Sequence, residues 1–249
     1  MQLVVLLLAA ALGAPGPSPY STGERMGFTI NYLGMRMGTA SITVREPAGP
    51  LVPVELEAHT TGLASGLYDF REKLTSNLDP ETGLPSSFVL DTNERGRKHH
   101  DTTDYDRAAG KAVVVQRGRT TSTDTVPVPP GTVDFVALVF QLRRMPLEPG
   151  DRHTFPVLSG TDVHQVVTEV MGRETVKTRA GTFVALKVRV PTGFTGAFSE
   201  RNPTYLWLSD DGARIVVRLS TDFSFGGAVA ELISYRPRAP ALDGTAKKE

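Results

Sequence analysis

The sequence predicts a mainly-β protein, a large curved antiparallel sheet or partial β-barrel with one main amphipathic helix, about 132–145, packed on it. Three observations carry this. Apolar and polar residues alternate at period two over most of the chain from Glu24 onward. The alternating runs are cut apart by turns rich in Gly, Pro, Asp and Asn, and one long segment repeats apolar residues at helical spacing. Roughly a dozen strands and one helix, with no internal repeat or linker, make a single domain over 20–236.

The elements follow in order. Phe28, Ile30 and Tyr32 alternate with Thr29 and Asn31, and Ala40, Ile42 and Val44 with Ser41 and Thr43. Gly34 and Gly38 between them suit a hairpin turn. Val54, Leu56 and Ala58 make a third strand, and Leu63 to Tyr68 is a helical turn bounded by glycine. Asp69 to Leu78 is extended. The run Asp79 to Gly83 (DPETG) is turn chemistry, because proline presets φ and glycine gives a permissive exit. Leu84 to Asp91, Arg97 to Asp106, Lys111 to Gln116 and Thr120 to Val126 continue the meander.

Pro127 to Gly131 then stop the strands. Thr132 is a suitable N-cap, Asp134 suits the first turn, and Phe135, Leu138, Val139 and Leu142 form an i, i+3, i+4, i+7 face. Arg143 and Arg144 fall in the last turn, before Pro146. Strand-like runs resume at Arg152 to Leu158, Val163 to Met171, Phe183 to Val190, Thr204 to Leu208, Arg214 to Ser220 and Phe225 to Tyr235. Asp210-Asp211-Gly212 is a hairpin signal.

Composition excludes several classes. The 249 residues carry 27 basic and 27 acidic side chains, so the electrostatic footprint of a nucleic-acid binder is missing. With no cysteine there are no disulfides, thiolate metal sites or cysteine nucleophiles. Leu3 to Leu12 is an unbroken apolar run followed by Pro15, Pro17 and Pro19. As a helix it would span about 15 Å, half a bilayer core, so it reads as the core of a signal peptide within 1–19. The expected product is exported, soluble and periplasmic, with no transmembrane span. It is not a lipoprotein, since no cysteine follows the run. Residues 237–249 form a Pro/Ala/Lys tail expected to be disordered.

Several segments in order resemble one family. They are Gly23 to Arg25, Tyr32 to Ala40 (YLGMRMGTA), Asp79 to Pro85 (DPETGLP), Val128 to Gly131, Pro146 to Gly150 (PLEPG), Val170 to Phe183 (VMGRETVKTRAGTF), Leu206 to Gly212 (LWLSDDG) and the closing glycine-rich strand. Over about residues 23–235 the chain is similar to the bacterial exported family known as domain of unknown function 3108. The resemblance implies an envelope protein and supplies no catalytic residues. The DPETGLP turn also resembles the sheet edge of lipoprotein-carrier half-barrels, which hold acyl chains under a helical lid.

No chemical motif stands out. There is no Gly-x-Ser-x-Gly elbow, His-Glu-x-x-His helix, Walker loop or dinucleotide fingerprint, so neither a cofactor nor catalytic residues are assigned. The strongest metal candidates, His99 and Asp101, share a strand face, with His100 and Asp104 on the other. No face collects three ligands, and the reading is a solvated polar strand. Asp210 and Asp211 belong to their turn rather than to a carboxylate pair. Arg95, Arg97 and Lys98 form one basic patch and Arg117 and Arg119 another; lipid phosphates are one possible target for each.

The collective feature is more informative. A curved sheet with one helix encloses a space that side chains or a ligand must fill. Phe28, Ile30, Tyr32, Phe135, Leu138, Val139, Leu142, Trp207, Phe223 and Phe225 are the residues expected around it. The function expected is binding or carriage of a hydrophobic, lipid-like ligand without catalysis. The alternatives are an envelope interaction or scaffold module with a protein partner, and a hydrolase of an envelope polymer using an unidentified His/Asp site.

Overall fold

The alternating runs form fourteen strands of one antiparallel sheet, described by a computed structural model over residues 20–190, 204–223 and 226–237. Residues 1–19, where the signal peptide is expected, Phe225, and residues 238–249 of the expected tail lie outside the described residues. The first arm is a meander of β1 (Arg25–Tyr32), β2 (Met35–Val44), β3 (Val52–Thr60), β4 (Phe70–Leu78), β5 (Pro85–Glu94), β6 (Arg97–Asp106), β7 (Lys111–Arg117) and β8 (Thr121–Pro127). The second runs through β9 (Arg152–Ser159), β10 (Asp162–Thr178), β11 (Gly181–Val190), β12 (Thr204–Ser209), β13 (Val216–Phe223) and β14 (Gly226–Arg236). Helix α1 (Leu63–Leu67) links β3 to β4, and α2 (Phe135–Arg144) links the arms.

The strand order is β8-β7-β6-β5-β4-β3-β2-β1-β14-β13-β12-β11-β10-β9. Strands β1 and β14 therefore pair at the centre, from Arg25 opposite Arg236 to Tyr32 opposite Ala228. Strands β8 and β9 are the two edges. They are joined by side chains rather than by a ladder: Leu158 and Val163 pack with Ala112, Val126 and Val128. Because every neighbour is antiparallel, the turns after odd-numbered strands gather on one rim and those after even-numbered strands on the other. Helix α2 closes the second rim. The first is open.

Helix α2 begins later than the sequence reading places it. Val133 stays extended because it forms a parallel bridge with Val157 of β9, its N–H donating to the Pro156 carbonyl at 2.9 Å. Thr132 is therefore not the N-cap, and its hydroxyl donates to the Pro129 carbonyl instead. Asp134 takes the role, its Oδ1 accepting the Ala137 N–H at 2.8 Å. Strand β10 is also longer than expected, since a bulge between Val170 and Gly172 lets it continue to Thr178.

Three contacts hold α2 in place. Arg143, fully buried, donates to both Glu24 carboxylate oxygens at 2.8 and 2.9 Å and to the carbonyls of Ala213 and Arg214. Tyr235 also donates to Glu24. The 79–83 turn docks on the helix, with Gln141 donating to the Thr82 carbonyl and Arg144 to that of Glu81. Tyr20 stacks on Phe140 at 5.6 Å. Leu138, Leu142 and Phe140 are buried, so most of the helix is a filled plug.

Candidate functional site

The sheet curls further than its side chains can fill. Above the first turn of α2 lies a cavity of about 570 Å³, within the roughly 300–1,000 Å³ typical of small-molecule sites. Its wall is built by alternation: Phe28 and Ile30 from β1, Ala40 and Ile42 from β2, Leu56 and Ala58 from β3, Leu74 from β4, Phe88 and Leu90 from β5, and Val114 from β7. Leu219 and Ala230 continue it on the second arm, and Phe135 with Val157 and Leu158 closes the helix side.

A few polar groups face this apolar wall. Glu72 lines the cavity without an ion-pair partner among the described residues, and burial pushes its carboxyl above the usual range. Asp134 sits at the floor. Its Oδ2 accepts the Ser76 hydroxyl at 2.6 Å, yet burial outweighs these bonds and its pKa is pushed up to about 6. Burial also raises Tyr105, helped by the negative charge of Asp134. The Arg107 guanidinium lies 4.5 Å over the Tyr105 ring and donates to the Pro85 carbonyl. Thr204 and Thr221 hydrogen-bond to each other at 2.9 Å.

Toward the open rim the chemistry changes. A polar depression of about 690 Å³ is lined by Arg97, Lys98, His99, Arg117, Arg119 and Ser122, and it shares Asp101 and Gln116 with the apolar chamber. The register that sets His100 opposite Arg117 brings the two basic patches of the sequence together. A side-chain carbon at Gly118 would meet His99 Nδ1 at 2.5 Å, so glycine there lets the imidazole lie across the β7–β8 turn.

The residues named from the sequence divide. Phe28, Ile30 and Phe135 line the chamber. Leu138, Val139 and Leu142 face a void of only about 10 Å³ with Val190, Leu206 and Leu219, too small to hold more than a single water. Tyr32, at the end of β1, does not line the chamber. Trp207 is on the other face of the sheet, where its indole N–H donates to Glu174 at 2.9 Å beneath Lys187 and Arg218. Phe223 ends β13, its side chain not among those described, and Phe225 lies outside the described residues. His99 and Asp101 share the polar depression, while His100 pairs with Asp91 at 2.7 Å. No three His, Asp or Glu side chains converge to hold a metal among the described residues.

Sequence reading missed the wall residues Leu56, Leu74 and Phe88, the half-buried Glu72 and the buried Asp134 as parts of the chamber. An inward-facing Glu in an otherwise apolar alternation, as in Glu72 before Leu74, is the signal that marks such a group.

An open β-barrel-like wrap with an apolar chamber and a helical plug is thus the class of fold. The chain belongs to the family of proteins of unknown function DUF3108, whose pattern matches residues 27–233. Among solved structures it is similar to a β-barrel-like protein of domain of unknown function DUF1849 from Brucella abortus. The TM-score is 0.58 at 10% identity, over 87% of this chain and 98% of that one. A hypothetical protein from Chlamydia trachomatis gives a TM-score of 0.39 at 9% identity, over 89% of this chain and 90% of that one. No curated protein matches the chain. Among the described residues no helix is long and apolar enough to cross a membrane.

Proposed function

We propose that this protein is an exported envelope protein that binds or carries an apolar, acyl-chain-like ligand in the chamber, acting by binding rather than by catalysis. The observation that carries the reading is the roughly 570 Å³ cavity walled by Phe28, Ile30, Leu56, Leu74, Phe88 and Phe135. An apolar void of this size leaves its lining without packing partners, and an apolar ligand would restore those contacts. The few polar groups at its ends would orient a ligand without wetting the whole wall. Export rests on the apolar leader and its proline boundary.

The test is native mass spectrometry of protein purified from its host without refolding, followed by organic extraction. A stoichiometric apolar molecule, or saturable binding of a fluorescent fatty-acid probe, supports the reading. Leu74→Trp places a large ring in the chamber and is expected to abolish probe binding while the far-UV spectrum is unchanged. Bare polypeptide with no probe binding would sink the proposal.

A further inference from the structure

The open rim carries a feature that packing does not require. Leu63 and Leu67, one helical turn apart on α1, are 93% and 78% exposed. Leu33 and Met35 on the β1–β2 turn are 60% and 61% exposed, and α1 packs beside β2, so the two pairs border one end of the molecule. Single exposed apolar residues are ordinary, whereas a grouped set is not. Leu33 also holds a left-handed φ of 50°, a conformation that favours Asn or Gly, so the turn itself gives no reason for leucine.

The same rim is basic. Arg95 ties it to α1, donating to the Leu67 carbonyl and lying 5.3 Å over the Tyr68 ring. Arg97, Lys98, Arg117 and Arg119 have no ion-pair partner among the described residues and line the depression that shares Asp101 and Gln116 with the chamber. The nearby acids are mostly engaged: Asp69 lies 3.9 Å from Arg71, and Glu94 accepts from the Tyr68 hydroxyl. Asp101 alone faces the depression from its deep end. Apolar side chains beside unpaired cations suit a surface that is apolar within and anionic at its headgroups.

We propose that the open rim docks on an anionic lipid surface, with Leu63 and Leu67 entering the apolar layer and the four basic residues meeting lipid phosphates. Docking in this pose sets the mouth of the chamber against the lipid, and to that extent the proposal rests on the chamber's binding an apolar ligand.

The experiment is sedimentation of the host-purified protein with vesicles of phosphatidylglycerol and phosphatidylcholine, against vesicles of phosphatidylcholine alone. Binding is expected only to the anionic vesicles and is expected to weaken as salt is raised. Arg97→Gln with Arg119→Gln should lower partition about twenty-five-fold, from roughly fivefold for each basic residue at such a surface. Leu63→Ser with Leu67→Ser should lower it at least tenfold while leaving fatty-acid probe binding intact, which separates loss of docking from loss of fold. Leu74→Trp should do the reverse, blocking the probe and leaving vesicle partition unchanged. Equal partition of wild type to both vesicle types, or partition unaffected by both rim variants, would overturn the proposal while leaving the chamber reading standing.

Discussion

Asp134 caps a helix and is fully buried, and these two roles oppose each other in a way that pH exposes. Its carboxyl moves from an ordinary value of 3.8 to about 6, with burial as the largest cause. At about 1.36 kcal/mol for each pH unit, that displacement corresponds to roughly 3 kcal/mol. The unfolded chain releases this proton near pH 4, while the folded protein keeps it to about pH 6. The contribution is therefore fully present below pH 4, falls as pH rises through 6, and is absent above. Asp134→Asn holds the neutral form at every pH and keeps an oxygen for the Ala137 N–H. Relative to wild type, the asparagine variant should gain up to ~3 kcal/mol of stability between pH 4 and pH 7.5. Urea unfolding of both proteins at the two pH values measures this, and the other titrating groups cancel in the difference. Asp134→Ala is the control. It loses the cap and leaves the Ser76 hydroxyl unpaired, so it should be destabilised by about 1–3 kcal/mol at pH 4; having no carboxyl to titrate, it should show the same pH-dependent gain over wild type as the asparagine variant, offset by that loss. A wild-type-to-asparagine difference that is the same at pH 4 and pH 7.5 would refute the argument.

Further outcomes follow from packing. Arg143→Met strands the buried Glu24 carboxylate and should cost about 3–5 kcal/mol, whereas adding Glu24→Gln should recover part of the loss; thermal unfolding of the double-mutant cycle reads the coupling. Gly38→Ala should destabilise by about 1–3 kcal/mol, because its Cβ would meet the rigid His59 carbonyl oxygen at 2.3 Å. Gly27→Ala should cost less, since the atom it meets is the Ser234 hydroxyl, which can rotate away. At this chain length each 1 kcal/mol corresponds to about 2–4 °C in melting temperature.

Much of the sheet was readable because alternation and turn chemistry agree locally. The sequence places strand β6 from Arg97 to Asp106, bounded by Gly96 and the Ala108–Gly110 turn, and the structure has it over the same residues. The start of α2 was not, because Thr132 and Asp134 are both good caps and a distant pairing of Val133 with Val157 chose between them. The chamber was legible in part. Phe28 and Ile30 follow from their strand's alternation, but which turn of α2 meets the void depends on where Glu24 and the 79–83 turn hold the helix. Trp207 alternates with Leu206 and Leu208, so it faces away from them. Both faces of that strand are apolar, and only its partners Glu174 and Arg218 reveal which is inside. The two basic patches were visible, whereas the β6–β7 register that joins them was not.

The central β1–β14 seam has a consequence for how the chain acquires its structure. Every other sheet pairing joins strands consecutive in sequence, so each arm can zip up hairpin by hairpin from local contacts. The seam instead closes a loop that runs through almost the whole domain, an entropic cost that falls on a single step. Until Gly226 to Arg236 has emerged and found β1, the first arm presents an open edge bearing Phe28 and Ile30, a template for pairing with the wrong strand. The seam thus waits on β14, the last of the fourteen described strands.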